Sequence, residues 1–366
     1  MMTNQYILPW SVMVMVSCLI AIPSHAQAPP VSTAKPDDTP SIRLGVTLYA
    51  DYTFNAAPET TDADGNSIHA HSFNVSRSYL NVTGNISHLV AFRITPDVAR
   101  ETGSGSSLNG SMTFRIKYAF AQINLDDWLT TGSWTRLGIQ QTPWLDFAEG
   151  IYRYRFQGTM FSERDGFLVS ADAGASFHYN FPSNYGDLHV GVYNGENYNR
   201  FEVNDQKALQ IRGTIRPFAS GSPAARGLRV HVFYNNDNYV KGSDRNRFIV
   251  SGTMEHRLVN ASVEFLAASD RPSITRTKAD AQGYSLWATP KLPRGIEGLL
   301  RFDHLTPDDH FDAHRNRTIA GIAYWFPAQG TVTSALLVDY EQVSTDGFSP
   351  AQPTQKRVIL HGLVNF

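Results

Sequence analysis

From Ser41 to Phe366 the chain runs in segments of about ten residues whose side chains alternate between apolar and polar, with turn residues between the segments. A period of two is that of a β-strand with a different environment on each face. The first segment sets Ile42, Leu44, Val46, Leu48, Ala50 and Tyr52 against Arg43, Gly45, Thr47, Tyr49, Asp51 and Thr53. The last sets Val358, Leu360, Gly362, Val364 and Phe366 against Arg357, Ile359, His361, Leu363 and Asn365. Between them, Leu209, Ile211 and Ile215 alternate with Gln210, Arg212, Thr214 and Arg216. No long stretch has helical periodicity. About sixteen such segments can be counted. They start near Ser41, Ser72, His88, Thr113, Ser133, Leu168, Asp187, Lys207, Gly227, Asn246, Val259, Gly283, Gly295, Arg317, Thr331 and Lys356. The second and fourth blur their faces, the fourth at Phe114-Arg115-Ile116-Lys117-Tyr118, so the count spans about fourteen to eighteen.

The connections alternate in length. Long polar ones cover residues 54–71, 99–111, 142–167, 195–206, 235–245, 269–282, 305–316 and 342–355. Short ones fall at 84–87, 182–186, 290–294 and 327–330, and two links, 126–132 and 217–226, are less tight. Long loops at one end and short turns at the other are the pattern of a closed antiparallel β-barrel that crosses a membrane, and closure removes the exposed edges that so many strands would otherwise present. A mean hydropathy of −0.27 is too polar for a helical membrane bundle, but suits a barrel in which only every second strand residue meets lipid. Aromatic residues near segment ends, among them Tyr49, Tyr52, Trp128, Trp134, Trp144, Tyr193, Tyr234, Trp287, Trp325 and Phe326, are expected to form interfacial girdles. Lys+Arg of 31 against Asp+Glu of 33 argues against general nucleic-acid binding.

Ahead of the strands stands an apolar run, residues 7–22, followed by Pro23-Ser24-His25-Ala26-Gln27-Ala28. It is too short to span a bilayer as a helix and reads as a signal peptide over residues 1–26, although no Lys or Arg lies in the first ten positions. Cleavage is expected after Ala26, with Ala28 the second choice. The single cysteine, Cys18, lies inside this run and is read as lost with the signal rather than as a lipidation site. Residues 27–40, rich in Pro, Ser, Thr and Asp, are expected to be a disordered leader, and residues 41–366 the barrel. Export to the outer membrane of a Gram-negative cell follows.

The stretches FNVSRSYLNVTGNISHLVAFRITPDVAR (73–100), RLGIQQTPWLDFAEGIYRYRFQGTMFSERDGFLVSADAGASFHYNF (136–181) and GDLHVGVYNGENYN (186–199) resemble porins of the phosphate-selective porin O and P superfamily. They cover about a quarter of the chain; the rest matches as strand pattern. The resemblance implies a trimer with an arginine-lined pore. No helical, coiled-coil-like segment of the kind some members carry precedes the first strand. A C-terminal Phe366 closing an amphipathic strand is also a feature of such barrels, and implies recognition by the barrel assembly machinery.

A passive pore selects by width and by the charge along its wall. The longest loop, 142–167, follows the fifth strand and is expected to fold inward and narrow the channel, with Asp146, Glu149, Arg153 and Arg155 at the constriction and Trp144, Tyr152 and Tyr154 interleaved. Charges on the polar strand faces must avoid hydrocarbon, so Arg77, Arg93, Arg115, Lys117, Arg136 and Arg212 are expected to line the pore. Their excess over nearby carboxylates predicts a slight preference for anions, including phosphate. For any one of these residues, pairing across the lumen to stabilise the wall is the competing reading. His69 and His71, and the group Asp308, Asp309, His310, Asp312 and His314, are thin support for a metal site. Asp62-Ala63-Asp64-Gly65-Asn66 lacks the distal Glu of a calcium loop. No nucleophile elbow or phosphate-binding loop occurs, and no cofactor is expected. The competing functions are an outer-membrane barrel enzyme and a structural or adhesive barrel. A gated receptor would need an N-terminal plug ahead of the first strand.

Overall fold

The computed structural model describes residues 38–366 apart from positions 102, 104, 329 and 331. The expected signal peptide and most of the expected leader lie outside the described residues. Sixteen strands form the barrel: β1 Ser41–Ala57, β2 His71–Asn85, β3 Val90–Arg100, β4 Met112–Asn124, β5 Trp134–Gln141, β6 Ala171–Asn180, β7 Gly186–Tyr193, β8 Ala208–Ile215, β9 Leu228–Asn236, β10 Ser243–Glu255, β11 Val259–Asp270, β12 Ala279–Pro290, β13 Ile296–Thr306, β14 His314–Trp325, β15 Thr333–Asp346 and β16 Gln355–Asn365. Each pairs antiparallel with its neighbours in sequence, and β1 closes the ring on β16 with Leu48 opposite Val364. The ladder runs through the last residue. Val46 N–H donates to the Phe366 carbonyl and Phe366 N–H donates to the Val46 carbonyl, both at 3.0 Å.

The alternation decides the faces. Ile42, Leu44, Phe73, Val230, Val263, Leu300 and Ile322 stand exposed on the outer wall. Thr47, Gln140, Arg212, His231, Ser251, Glu264, Ser285, Asp303, Asp339 and His361 are buried on the inner one. Polar inside and apolar outside is the reverse of a water-soluble fold, and so continuous an exposed apolar band requires a non-aqueous surrounding.

Three expectations are corrected. The long polar loop at 235–245 is mostly strand: β9 runs to Asn236, a short strand covers Asn238–Val240, and β10 begins at Ser243. Its polar side chains do not interrupt pairing, because Arg245 donates its backbone N–H to the Asp237 carbonyl at 2.8 Å. Strand β12 likewise begins at Ala279 rather than Gly283. The girdle assignment is only partly met. Trp128, Tyr234 and Phe326 are outside, but Trp144, Tyr193, Trp287 and Trp325 are buried on the inside. Tyr193, Trp287 and Trp325 have the parity of the lumen face, and Trp144 belongs to the inserted loop described below.

The blurred second and fourth segments have a structural cause. Pairing of β1 with β2 skips one residue between Tyr49↔Arg77 and Ala50↔Val75, leaving Ser76 as a bulge. Pairing of β3 with β4 skips one between Thr95↔Tyr118 and Pro96↔Ile116, leaving Lys117 as a bulge next to a proline that has no N–H to pair. Each bulge flips the alternation, so two successive residues point inward.

Candidate functional site

The connection from β5 to β6, residues 142–170, folds into the barrel. It begins with helix α1, Leu145–Tyr152, which buries Leu145, Ala148, Ile151 and Tyr152. Arg153 ends it in a left-handed conformation, φ 66°, with its N–H donated to the Glu149 carbonyl at 2.8 Å. This bend sends the chain into an aromatic stretch in which Tyr154 and Phe156 stack at 5.6 Å, before the single turn α2, Phe161–Arg164. Trp144, Tyr152, Tyr154, Phe156 and Phe161 are at most 3% exposed, packed with Phe233, Ile249, Leu266, Trp287, Leu299 and Trp325 from the wall. An aromatic-rich loop on that wall buries apolar area that water would otherwise cover.

Polar bonds pin it along its length. Arg212 Nε donates to the Pro143 carbonyl at 2.8 Å, and Asn260 Nδ2 to Ile151 at 3.2 Å. Tyr154 Oη donates to Glu297 Oε2 at 3.0 Å and accepts from Trp325 Nε1 at 3.1 Å. Arg301 Nη1 donates to the Thr159 carbonyl at 3.0 Å, Arg247 Nε to Phe167 at 2.8 Å, and Arg315 pairs with Asp165. These partners come from β8, β10, β11, β13 and β14, so the loop lies against that side and leaves the lumen open toward β1–β5. A Cβ on Gly158 would meet the Arg164 guanidinium at 1.9 Å, so a side chain there would displace that arginine from Gln157 and Glu341.

Toward β1–β5 lie two cavities that share Tyr49 and Arg155. One, about 530 Å³, also meets Tyr79, Asn81, Arg93, Tyr118, Asp146 and Glu149. The other, about 310 Å³, meets Asp51, Arg77, Arg164, Arg317, Glu341 and Arg357. On the loop side, charge is balanced. Arg155 pairs with Glu149 at 2.5 Å and Glu163 at 3.1 Å. Arg153 pairs with Glu297 at 3.4 Å and lies 4.4 Å from the Trp325 ring. Glu341 takes Arg164 at 3.8 Å, Arg317, and Arg357 at 2.6 Å.

The facing wall is different. Among the described residues, Arg77, Arg93, Lys117 and Arg136, one on each of β2 to β5, pair with no carboxylate. Each lies over an aromatic ring instead: Arg77 over Tyr79 at 5.1 Å, Arg93 over Tyr118 at 4.5 Å, Arg136 over Trp134 at 3.8 Å. Lys117 sits between Tyr79, Tyr118 and Tyr198, with its Nζ donating to Tyr79 Oη at 2.7 Å. A ring face holds a cation without cancelling its charge. The bulges at Ser76 and Lys117 are what turn Arg77, Lys117 and Tyr118 into the lumen together.

The expected residues therefore separate into groups. Asp146, Glu149, Arg153 and Arg155 lie on the inserted loop and line the larger cavity. Arg77 and Arg93 line a cavity; Arg115 pairs with Asp97 at 3.3 Å and stacks on Tyr198. Lys117 is 2% exposed, screened by its tyrosines. Arg212, expected in the pore lining, is instead covered by the loop: it is 3% exposed, lies 3.8 Å from the Phe147 ring and pairs with Asp187 at 2.5 Å. Residues missed as parts of the site are Tyr49, Tyr79, Tyr118 and Tyr198. Tyr79 sits two residues beyond Arg77, the spacing of one strand face, which would have pointed to it. Tyr198 comes from the β7–β8 loop and carries no such signal.

No protein-family model and no curated protein matches the chain. Solved structures do. An anion-selective porin from Comamonas acidovorans superposes with a TM-score of 0.62 at 12% identity, over 90% of this chain and 100% of that one. Salmonella typhi OmpF in complex with daunomycin gives 0.59 at 12% identity, over 88% and 97%. The outer membrane channel DcaP of Acinetobacter baumannii gives 0.57 at 14%, over 89% and 97%. At these identities the likeness is one of fold: a closed antiparallel barrel of sixteen strands.

Proposed function

We propose that this chain is a porin of the Gram-negative outer membrane, exported through a signal peptide at residues 1–26, that passes small hydrophilic solutes by diffusion with a slight preference for anions. The observation that carries the reading is the unbalanced basic wall, Arg77, Arg93, Lys117 and Arg136, facing a loop whose own arginines are paired. Net positive potential on one side of a narrow aqueous space raises the local concentration of anions, and weak, repeated contacts let them leave again. Asp146, Glu149, Arg153 and Arg155 form the loop side of the constriction, with Arg77, Arg93 and Arg115 opposite. Lys117 and Arg136 add field from behind aromatic rings. Phosphate is one anion of this class, and the stretches at 73–100, 136–181 and 186–199 support kinship with the porin O and P superfamily. A homotrimer is in keeping with a solved trimer form of OmpT, an outer membrane protein of Vibrio cholerae, at a TM-score of 0.55 and 12% identity. Phe366, paired into the closing ladder, is the signal for assembly into the membrane.

The test is electrical. Purified protein in a planar bilayer is expected to give stepwise ohmic conductance and a reversal potential on the anion side in a salt gradient. A barrel that inserts but does not conduct would fit the structural or adhesive reading instead. Cross-linking in mild detergent that yields only monomer would remove the trimer.

A further inference from the structure

At the long-loop end of the barrel lies a further cavity, about 250 Å³, between the last residues of the inserted loop and the lumen face of β6, β8, β9 and β10. Its lining shares no residue with the two cavities at the constriction. One side is a row set by register: Gln210 on β8 lies opposite Asn235 on β9, which lies opposite Arg247 on β10. All three are at most 5% exposed. Asn235 Nδ2 donates to the Arg245 carbonyl at 3.1 Å. Another side is the β7–β8 loop. Its Gly195 donates the backbone N–H to Asp172 Oδ2 at 2.8 Å. Gly195 also lies directly against Arg245 and Asp237, since a Cβ on it would meet Asp237 Oδ1 at 2.8 Å and Arg245 Nη2 at 3.0 Å. The charges of this lining balance: Arg200, Arg245 and Arg247 stand against Asp172, Glu196 and Asp237. Arg245 Nε donates to Asp237 Oδ2 at 2.6 Å, and Arg247 Nη2 to Asp270 Oδ1 at 2.8 Å. Hydrogen-bonding capacity is left over. Gln210 Oε1 is enclosed and bonds nothing among the described residues. Arg245 Nη2 is likewise unbonded, with Glu196 Oε1 at 3.7 Å.

We propose that this pocket binds one small neutral polyol, the size of a single sugar ring. A buried acceptor and a buried donor without partners are costly, and a solute that supplies both partners relieves them. A hydroxyl donates and accepts at once, so the hydroxyls of one ring give to Gln210 Oε1 and take from Arg245 Nη2. An ion gains little here, because the arginines and carboxylates are equal in number and Arg245 and Arg247 already hold carboxylates. Tyr239 and Phe167 also line the cavity and offer apolar surface to the C–H face of a ring. The volume lies below the roughly 300–1,000 Å³ of drug-sized sites, which suits one ring rather than a chain of them. Arg200, exposed in the lining, marks the side open to solvent. The site's use in gathering solute at the pore mouth rests on the pore reading above; the binding itself does not.

Saturation-transfer NMR of the folded barrel in detergent tests it, with glucose, gluconate and glucosamine as neutral, anionic and cationic probes of one size. Saturable transfer to glucose is expected, with both charged probes held more weakly. Gln210→Leu, which keeps the volume and removes the amide, and Gln210→Ala, which only shortens the side chain, are each expected to weaken glucose binding by about tenfold or more. Heat-modifiable gel mobility checks that both variants are folded. No saturable glucose binding in the unaltered protein overturns the proposal. So does tighter binding of gluconate or glucosamine, since the site would then read charge. Glucose binding that survives in both folded variants overturns it too, because the sugar would then sit elsewhere in the lumen. Bilayer conductance of the unaltered protein separates this from the pore reading. A barrel that binds glucose without conducting would count against the pore and leave the site standing, and one that conducts without binding glucose would lose the site alone.

Discussion

Replacing Arg93 with glutamine is expected to move selectivity toward cations by a calculable amount. Arg93 Nη2 donates to Asn81 Oδ1 at 2.8 Å and Nε to Thr95 Oγ1 at 2.9 Å, both neutral partners. Glutamine retains a donor there, so the change is close to the loss of one unit charge. An ion passing at about 5 Å through water-like surroundings gains or loses about 0.8 kcal/mol from that charge. With a Debye length of about 10 Å at 0.1 M salt, about 0.5 kcal/mol remains. The term acts with opposite sign on cations and anions, so the permeability ratio changes by about 1 kcal/mol, a factor of about five. At 1 M the Debye length is about 3 Å and the factor falls below about two. The assay is the reversal potential across a planar bilayer under a salt gradient, run at both ionic strengths. An unchanged reversal potential at low salt would refute the reasoning, because Arg93 would then be remote from the ion path. A shift that persists at 1 M would refute it too, since it would reflect altered pore shape rather than field.

Glu297→Gln is expected to weaken the loop's hold on the wall by about 1–3 kcal/mol, through the bonds to Tyr154 and Arg153. Single-channel records should show more frequent transitions between conductance levels, and an unchanged record would mean the apolar packing alone fixes the loop. His88, in the β2–β3 turn, contacts Asp38 Oδ1 at 2.6 Å and Asp127 Oδ2 at 3.1 Å, and these bonds, Asp38 first, raise its pKa above the ordinary histidine value. A raised value means the stabilisation is complete below about pH 6.5 and is lost as pH climbs through the folded-state value. The gap in melting temperature between the unaltered protein and His88→Gln should therefore be widest in mild acid and close in alkali, and a gap that widens with pH would contradict the pairing. A Cβ at Gly174 would meet the Val192 carbonyl oxygen at 2.2 Å and Tyr193 Cα at 2.8 Å, so Gly174→Val is expected to cost about 1–3 kcal/mol. Heat-modifiable gel mobility should show a lower unfolding temperature. N-terminal sequencing of outer-membrane material should begin at Gln27, or next at Pro29; an intact Met1 or a lipid on Cys18 would overturn the signal-peptide assignment.

Strand number, strand positions and the face of most residues were written in the sequence, because a wall between lipid and water imposes a period of two on every crossing segment. The same parity placed Arg93 and Arg136 on the polar face in advance, while Arg77 and Lys117 were assigned there because a charge must avoid hydrocarbon. The long aromatic loop was legible too, since Trp144, Tyr152 and Tyr154 in a surface loop would leave large apolar area in water. What parity cannot carry is a change of parity. The bulges at Ser76 and Lys117 look like noise in the pattern, yet they bring Lys117 and Tyr118 inward together. Nor does the pattern say which charges cancel. Arg153 meets Glu297 and Gln157 meets Glu341 only because closure brings the far wall to the loop, and the same closure buries Arg212 under Phe147. Tertiary structure alone decided that the loop's arginines are neutralised while the opposite wall keeps its charge. A charge's effect depends on what stands within a few ångströms of it, and in a closed barrel those neighbours come from strands far apart in the chain.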